Sequence, residues 1–442
     1  MLSRVQKGSV KIEKIISMSL LFIYKKVMVN LLRLYYLFAS IVARPFLNII
    51  LKYSFKTKKT NSNFIRKKII IEGFYNNPNH FLRLKILINS LLLNEQYQII
   101  GLLYNKKNQS INTLKALGVS KFYFVEDTKI KKIDFKKSDN FMRKVKTHED
   151  FLKLEFPDKL PPDIVYDTVL RMKMHPQPNI NDESWVNCLA DAFRLTRFYE
   201  KVLISEKPDY FILSNPFKNE YGIGLWKALL KNITCFHLTG YYETIRIKKF
   251  TSIKDFYHPL EVLPYKEFLK LPRKYKVSLM RNGKNFLKIK ENSKNLDISH
   301  KSAYGSKKNI NSLESLKNNR KPIILIACHA WFDFPHLFGM RNFSDFLDWI
   351  NTIINIANKK DKFLWLIRPH PQEDWYGGFK LKDIINKEVP NHIQIVNKEY
   401  STDQILSISD FVVTHHGTIA MEAVSKSIPV LCTDKNHYSD WD

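Results

Sequence analysis

Cysteine is scarce in this chain: four among 442 residues, at Cys188, Cys235, Cys328 and Cys432. They lie far apart and form neither a CxxC pair nor a Cys/His ligand spacing. That excludes a disulfide scaffold and a zinc framework and argues for a reducing compartment. Acidic residues are also short, 42 Asp+Glu against 71 Lys+Arg, for a net charge of +29. The deficit is sharpest at the start, where residues 1–68 hold 15 Lys+Arg and one acid, Glu13. Half the excess charge therefore sits in one segment. No uncharged run reaches the ~20 residues of a membrane span. No small-residue cleavage site follows a short apolar core, so a signal peptide is not indicated. Zinc-finger, RNA-recognition and basic-aromatic patterns are missing, which counts against nucleic acid as the partner of all this positive charge. No short-period repeat appears.

What is present begins with residues 15–53, IISMSLLFIYKKVMVNLLRLYYLFASIVARPFLNIILKY. Lys25, Lys26, Arg33 and Arg44 interrupt an otherwise apolar stretch. At 100° per residue Lys26, Asn30, Arg33, Ser40, Arg44 and Asn48 share one stripe, with Leu37 as its interruption. The pattern predicts a helix lying in a membrane interface, its cationic heads reaching toward anionic lipid. Pro45 should kink or divide it. A helical arm packed on the chain itself or on a partner is the alternative. KTKKTNSN (56–63) reads as a linker.

The length exceeds one ordinary core, and 45% apolar residues are enough to fill two. Strands are expected at 68–74, 97–104, 121–125, 209–214 and 233–238, and helices at 80–94, 110–117, 183–206 and 219–231. Residues 140–180 are less regular, with helical patches. Residues 282–320 are polar without a period, which suggests an interdomain connection or flexible insertion. A second alternation follows, with strands at 322–328, 363–367, 393–396, 410–414 and 428–432 and helices at 343–358, 380–387, 402–408 and 418–426. Such alternation predicts an α/β chain with two Rossmann-like domains in tandem, each a parallel doubly wound sheet. The expected partition is a basic membrane-associating segment and linker (1–64), a first domain (65–281), a connection (282–320) and a second domain (321–442).

Three stretches carry chemistry, each after an expected strand. In THHGTIAMEAVSK (414–426) His415, His416 and Gly417 make a strand-to-helix turn, and Thr418 is placed to cap the helix. Exposed amides of that first turn, with donors from His415, His416 and Thr418, would suit a phosphate. Glu422, one turn on, could take a sugar hydroxyl pair. In LWLIRPHPQED (364–374) Pro369 and Pro371 end the strand and hold His370 extended, and Arg368 and His370 suit phosphate oxygens. In CHAWFDFPHLFG (328–339) His329, Asp333 and His336 with three aromatics could line a sugar pocket or could equally be core and cap.

RPHP, then THHGTIAMEAVSKSIPVLC, preceded by FSDFLDWI, resembles the bacterial capsule and surface-polysaccharide glycosyltransferases of GT-B fold. That group includes the β-Kdo transferases and is related in motif to sialyltransferases with an HP motif. The resemblance spans about 320–438 and is only topological over 65–281. It implies that His370, Gly417 and Thr418, with Glu422, hold the donor nucleotide, and that an acid of the first domain is the base. Glu220 in NPFKNEYGIG is the choice, with Glu72 and Asp191 competing. The family's second domain continues past its last strand, whereas this chain ends at NHYSDWD. The C-terminal domain is therefore expected to be truncated or to lack the closing segment.

The expectation is a cytoplasmic enzyme, peripheral on the inner membrane. It would transfer Kdo or a related sugar from a nucleotide donor, CMP-linked donors fitting best, to a polysaccharide or glycolipid. No cofactor is called for, and the absence of an Asp-x-Asp motif at a strand end points to metal independence. The alternatives are a teichoic-type glycerol-phosphate transferase, a UDP-sugar 2-epimerase, and a non-catalytic assembly factor.

Overall fold

The computed structural model describes residues 67–74, 77–92, 97–239, 245–257, 264–292, 313, 316, 321–371, 373, 378–385, 389–397 and 400–434. The interfacial helix expected at 15–53, the linker at 56–63 and most of 293–320 lie outside them.

Among the described residues eleven strands form two sheets. The first contains β1 (Lys67–Glu72), β2 (Tyr97–Leu103), β3 (Val119–Phe124), β4 (Tyr210–Leu213), β5 (Thr234–Thr239) and β6 (Arg246–Phe250), in the order β3-β2-β1-β4-β5-β6. The second contains β7 (Ile323–Ala327), β8 (Leu364–Arg368), β9 (Ile393–Ile395), β10 (Phe411–Thr414) and β11 (Val430–Cys432), in the order β11-β10-β7-β8-β9. All four pairings of the second sheet are parallel. Every residue of β8 is buried, as expected of a parallel strand covered on both faces. The chain is an α/β protein with two Rossmann-like sheets.

One strand departs from the expected parallel order. β6 was not anticipated, and it runs antiparallel to β5 at the sheet edge. Its sequence, RIKKF, is mostly exposed. Edge strands are commonly charged in this way, which blunts further pairing. The stretch 132–173 is also more ordered than expected, with helices Lys132–Met142, His148–Leu152 and Pro162–Lys173. Short length hid the second, although Thr147 starts it with a capping box to Asp150. Helix Arg273–Asn292 continues through the first residues of the polar 282–320 stretch.

The chain divides into two compact units, residues 1–67 with 72–123 and residues 68–71 with 124–442. The core of the smaller unit joins Phe81, Leu84 and Ile88 of helix Pro78–Leu92 with Ile100, Leu102 and Leu103 of β2. In the larger unit helix Glu183–Glu206 buries Trp185, Leu189, Ala192, Tyr199 and Leu203 at helical spacing. Asp182 caps it by accepting the amide of Ser184 at 2.9 Å. A π-helical turn, Lys218–Gly222, leads into helix Ile223–Leu230. The Tyr199 hydroxyl donates to the Glu220 carbonyl of that turn. Gly224 makes room for the ring, since a Cβ there would sit 2.5 Å from it. Around β7–β11 a separate core gathers Leu325, Leu366, Ile405, Val412 and Ala423.

Candidate functional site

β10, β7 and β8 are consecutive neighbours in the second sheet and all run the same way. Their carboxyl ends therefore lie side by side, and the loops leaving them meet. Between those loops is a cleft enclosing about 660 Å³, open to solvent. His329 comes from the loop after β7, and Arg368, Pro369, His370 and Pro371 from the end of β8. Thr414, Gly417, Thr418 and Glu422 come from β10 and the helix after it. His370 and Gly417 thus line one cavity.

Arg368 is 3% exposed. One of its Nη groups donates to Thr402 Oγ1 at 2.9 Å and the other to the Tyr400 carbonyl at 3.2 Å. The cation is thereby fixed in place rather than free to follow solvent. Burial, and next the Arg368 charge, lower the His370 pKa to about 4. At neutral pH His370 is an uncharged imidazole and Arg368 supplies the positive charge.

His329 takes a role that the sequence did not reveal. The amides of His415 and His416 both point at its Nε2, at 3.2 and 3.4 Å, and Thr414 Oγ1 lies 3.2 Å away. Nε2 must accept, so the proton of the neutral ring is on Nδ1. Burial, then the neighbouring His416, His415 and His370, hold its pKa well below the ordinary value. Two turn amides expected to face an anion are therefore engaged by His329. The ring is clamped by near-parallel stacking on Phe346 at 4.8 Å and on His416 at 4.5 Å, and His416 stacks in turn on Phe338 at 4.3 Å.

His415 and His416 accordingly do not line the cleft. His415 is fully buried, with Nδ1 3.9 Å from Asp434, and burial lowers its pKa to about 4. Thr418 does line the cleft, but its side chain makes no capping hydrogen bond to the helix Ile419–Ser425. The helix has only seven residues, so fixed side chains matter more here than its dipole. Gly417 does not adopt a left-handed φ. It is needed for close approach: a Cβ would lie 3.0 Å from Thr414 Oγ1 and 3.5 Å from His329 Cε1.

A second cavity, enclosing about 310 Å³, is lined by Asp163, Asp167, Lys218, Tyr257, His336 and Arg341 among others. His336 Nδ1 is 2.6 Å from Asp167 Oδ1, and the amide of Leu337 donates to the other Asp167 oxygen at 3.3 Å. Both residues are buried, and His336 Nε2 has no hydrogen-bond partner. Burial alone would lower the His336 pKa, but the charge and hydrogen bond of Asp167 outweigh it and leave the pKa raised. A carboxylate-backed imidazole with its far nitrogen unengaged can take a proton from a hydroxyl. His336 appeared in the sequence reading as a pocket residue, whereas Asp167 lies in the stretch read as irregular and was missed. A neighbouring carboxylate, Asp345, accepts from Tyr166 Oη at 2.8 Å and Gln177 Nε2 at 2.9 Å, and caps helix Phe346–Asn358.

The three acids considered as the base line neither cavity. Glu220 pairs with Lys218 at 3.6 Å, and burial raises its pKa despite the lysine. Lys218 itself lines the second cavity, so Glu220 adjoins it. Asp191 is paired with Arg194 on its own helix, and burial raises its pKa. Glu72, in the smaller unit, is fully buried and accepts the amide of Phe74 at 3.0 Å. Asp333 lines neither cavity; its pKa is raised by burial against the opposing charge of Arg171. Among the described residues no group of His, Cys, Asp and Glu is arranged to hold a metal ion.

No family model matches the chain, and no curated protein matches it. Solved structures do resemble it. UDP-GlcNAc 2-epimerase from Neisseria meningitidis bound to UDP-GlcNAc is 12% identical, with 83% of this chain and 82% of that chain covered and a TM-score of 0.22. The glycotransferase of kitacinnamycin is 10% identical, with 85% and 82% covered and a TM-score of 0.24. The glycosyl transferase family 9 structure from Veillonella parvula is 7% identical, with 84% and 83% covered and a TM-score of 0.20. Likenesses this distant carry no weight for the chemistry, which rests on the residues of this chain.

Proposed function

We propose that the chain is a glycosyltransferase of GT-B type that takes a sugar from a nucleotide donor and passes it to a surface-polysaccharide or glycolipid acceptor. The observation that carries this is the convergence of Arg368, His370, Gly417, Thr418 and Glu422 on one cleft at the carboxyl ends of three adjacent parallel strands. Open α/β sheets bind nucleotides at such an edge. Arg368 would stabilise the charge on the leaving nucleotide, and His370 and Thr418 would donate hydrogen bonds to phosphate oxygens. Glu422 would accept from a hydroxyl pair of the donor. Kdo or a related sugar on a CMP-linked donor remains the preferred substrate, on the sequence resemblance alone.

Acceptor activation has two candidates in this scheme. Glu220 is the acid favoured by the sequence. The His336–Asp167 pair is better placed, because His336 lines a cavity and its Nε2 is unengaged. Residues 1–64 would hold the enzyme on an anionic membrane surface, where a lipid-linked acceptor is found. Among the described residues no helix is long and apolar enough to cross a membrane.

A UDP-sugar 2-epimerase is the second reading, since that chemistry uses the same kind of cleft. It needs several carboxylates at the sugar, and among the described residues Glu422 is the single carboxylate lining the cleft, which favours transfer. Incubation with a panel of nucleotide sugars, scored for released nucleotide and for epimerised donor, tests the proposal. Release of one nucleotide with the sugar transferred or hydrolysed is expected. Binding of no nucleotide sugar, or epimerisation without release, would overturn it.

A further inference from the structure

Helix Arg273–Asn292, RKYKVSLMRNGKNFLKIKEN, leaves most of its apolar residues uncovered. Tyr275 is 53% exposed, Leu279 45%, Met280 56% and Phe286 60%. At 100° per residue these four and Leu287 fall within an arc of roughly 140°, the width of a membrane-facing stripe. Arg273, Lys274, Arg281, Lys284 and Lys288 occupy the opposite arc. Residues 273–288 contain no acid at all. Lys276 and Lys290 fall inside the apolar arc; the Lys276 ammonium turns back to the Leu269 carbonyl at 3.0 Å. The short helix before it, Tyr265–Lys270, adds Leu269 at 50% exposure.

A helix standing in water with a bare apolar stripe has lost the burial that normally stabilises it. A core-facing helix would have the stripe covered, and a solvated helix would have none. The pairing of that stripe with a cationic face, interrupted by Val277 at 54% exposure, selects the occupant, because an anionic bilayer surface is apolar below and negative above.

We propose that helix Arg273–Asn292 lies in the surface of an anionic membrane, as a second attachment point distinct from residues 1–64. Tyr275, Leu279, Met280 and Phe286 enter the acyl boundary, and the basic arc meets lipid phosphates. The contact is independent of whether the cleft transfers sugar, so its test needs no activity.

The experiment is backbone amide hydrogen exchange of the full chain, alone and with vesicles of phosphatidylcholine or of phosphatidylcholine with phosphatidylglycerol. Peptides from 273–292 should slow on the order of tenfold with the anionic vesicles. They should not change with the neutral ones. The protection should fade in about 0.5 M salt. Leu279→Asp with Phe286→Asp, both exposed and so tolerated by the fold, should abolish the protection of 273–292 while other segments stay as before. Unchanged exchange in 273–292, even with the chain bound to the vesicles, overturns the proposal. So does protection that appears without vesicles as protein concentration rises, which would mean that a second copy covers the stripe.

Discussion

Acid should weaken the β7–β11 region through His415. This imidazole is fully buried, edge-on to the rings of His329 and Phe346. Burial, and next the charge of His336, bring its pKa down to about 4. In the unfolded chain it returns to about 6.5. Between those values the unfolded chain carries a proton that the folded chain does not. Stability is therefore complete above about pH 6.5 and is lost as the pH falls toward about 4. At about 1.4 kcal/mol per pH unit the whole window is worth about 3 kcal/mol, and the part down to pH 5 about 2 kcal/mol. The same direction holds for His370, also brought down to about 4. Urea unfolding followed by tryptophan fluorescence at pH 7 and pH 5 reads the loss, since Trp331, Trp349 and Trp365 are buried in this region. His415→Asn should be less stable at pH 7, yet lose less on going to pH 5 than the parent chain does. Equal losses in the two proteins would show that His415 is not held neutral by the fold.

Other consequences concern the two cavities. His370→Ala and Thr418→Ala should each weaken nucleotide binding by about 1.5–3 kcal/mol, roughly tenfold or more, with unfolding unchanged; unaltered affinity by calorimetry would remove the residue from the phosphate site. Gly417→Val forces a Cβ against Thr414 Oγ1, so it should cost about 1–3 kcal/mol of stability as well as affinity. With a nucleotide sugar found, His336→Gln should lower turnover far more than Glu220→Gln while donor affinity stays near the parent value; the reverse order would return the base to Glu220. The raised His336 pKa places the acid limb of the turnover profile above the ordinary histidine value. Asp167→Asn should move that limb to lower pH, and a limb that stays put would mean another group sets it.

Strand and helix positions were legible from local pattern because burial on both faces demands apolar runs, and amphipathic burial demands period 3.6. Helix Glu183–Glu206 was expected at 183–206, and β7, β8 and β10 fall within a residue or two of their expected bounds. The gathering of RPHP and THHGT at one edge was legible for the same reason, since loops after parallel strands must emerge on one side. Less was legible where local pattern is weak. β6 is short, charged and half out of the core, and the helices of 132–173 are broken by prolines and turns.

The chain's own order of residues determined two sheets, the loops that leave them and the residue types those loops carry. Direction and partnership were decided only by packing. Adjacent residues in a tight turn point to different sides, so whether His415, His416 or Gly417 faces the cleft depends on what stacks against them. Phe338, Phe346 and His329 claim the two histidines, and His329 claims the turn amides. Asp167 and His336 are 169 residues apart, and no spacing rule joins positions so distant. Their pairing exists because burying a lone carboxylate beside an imidazole is costly unless the two share a hydrogen bond, and only the folded chain brings them within reach.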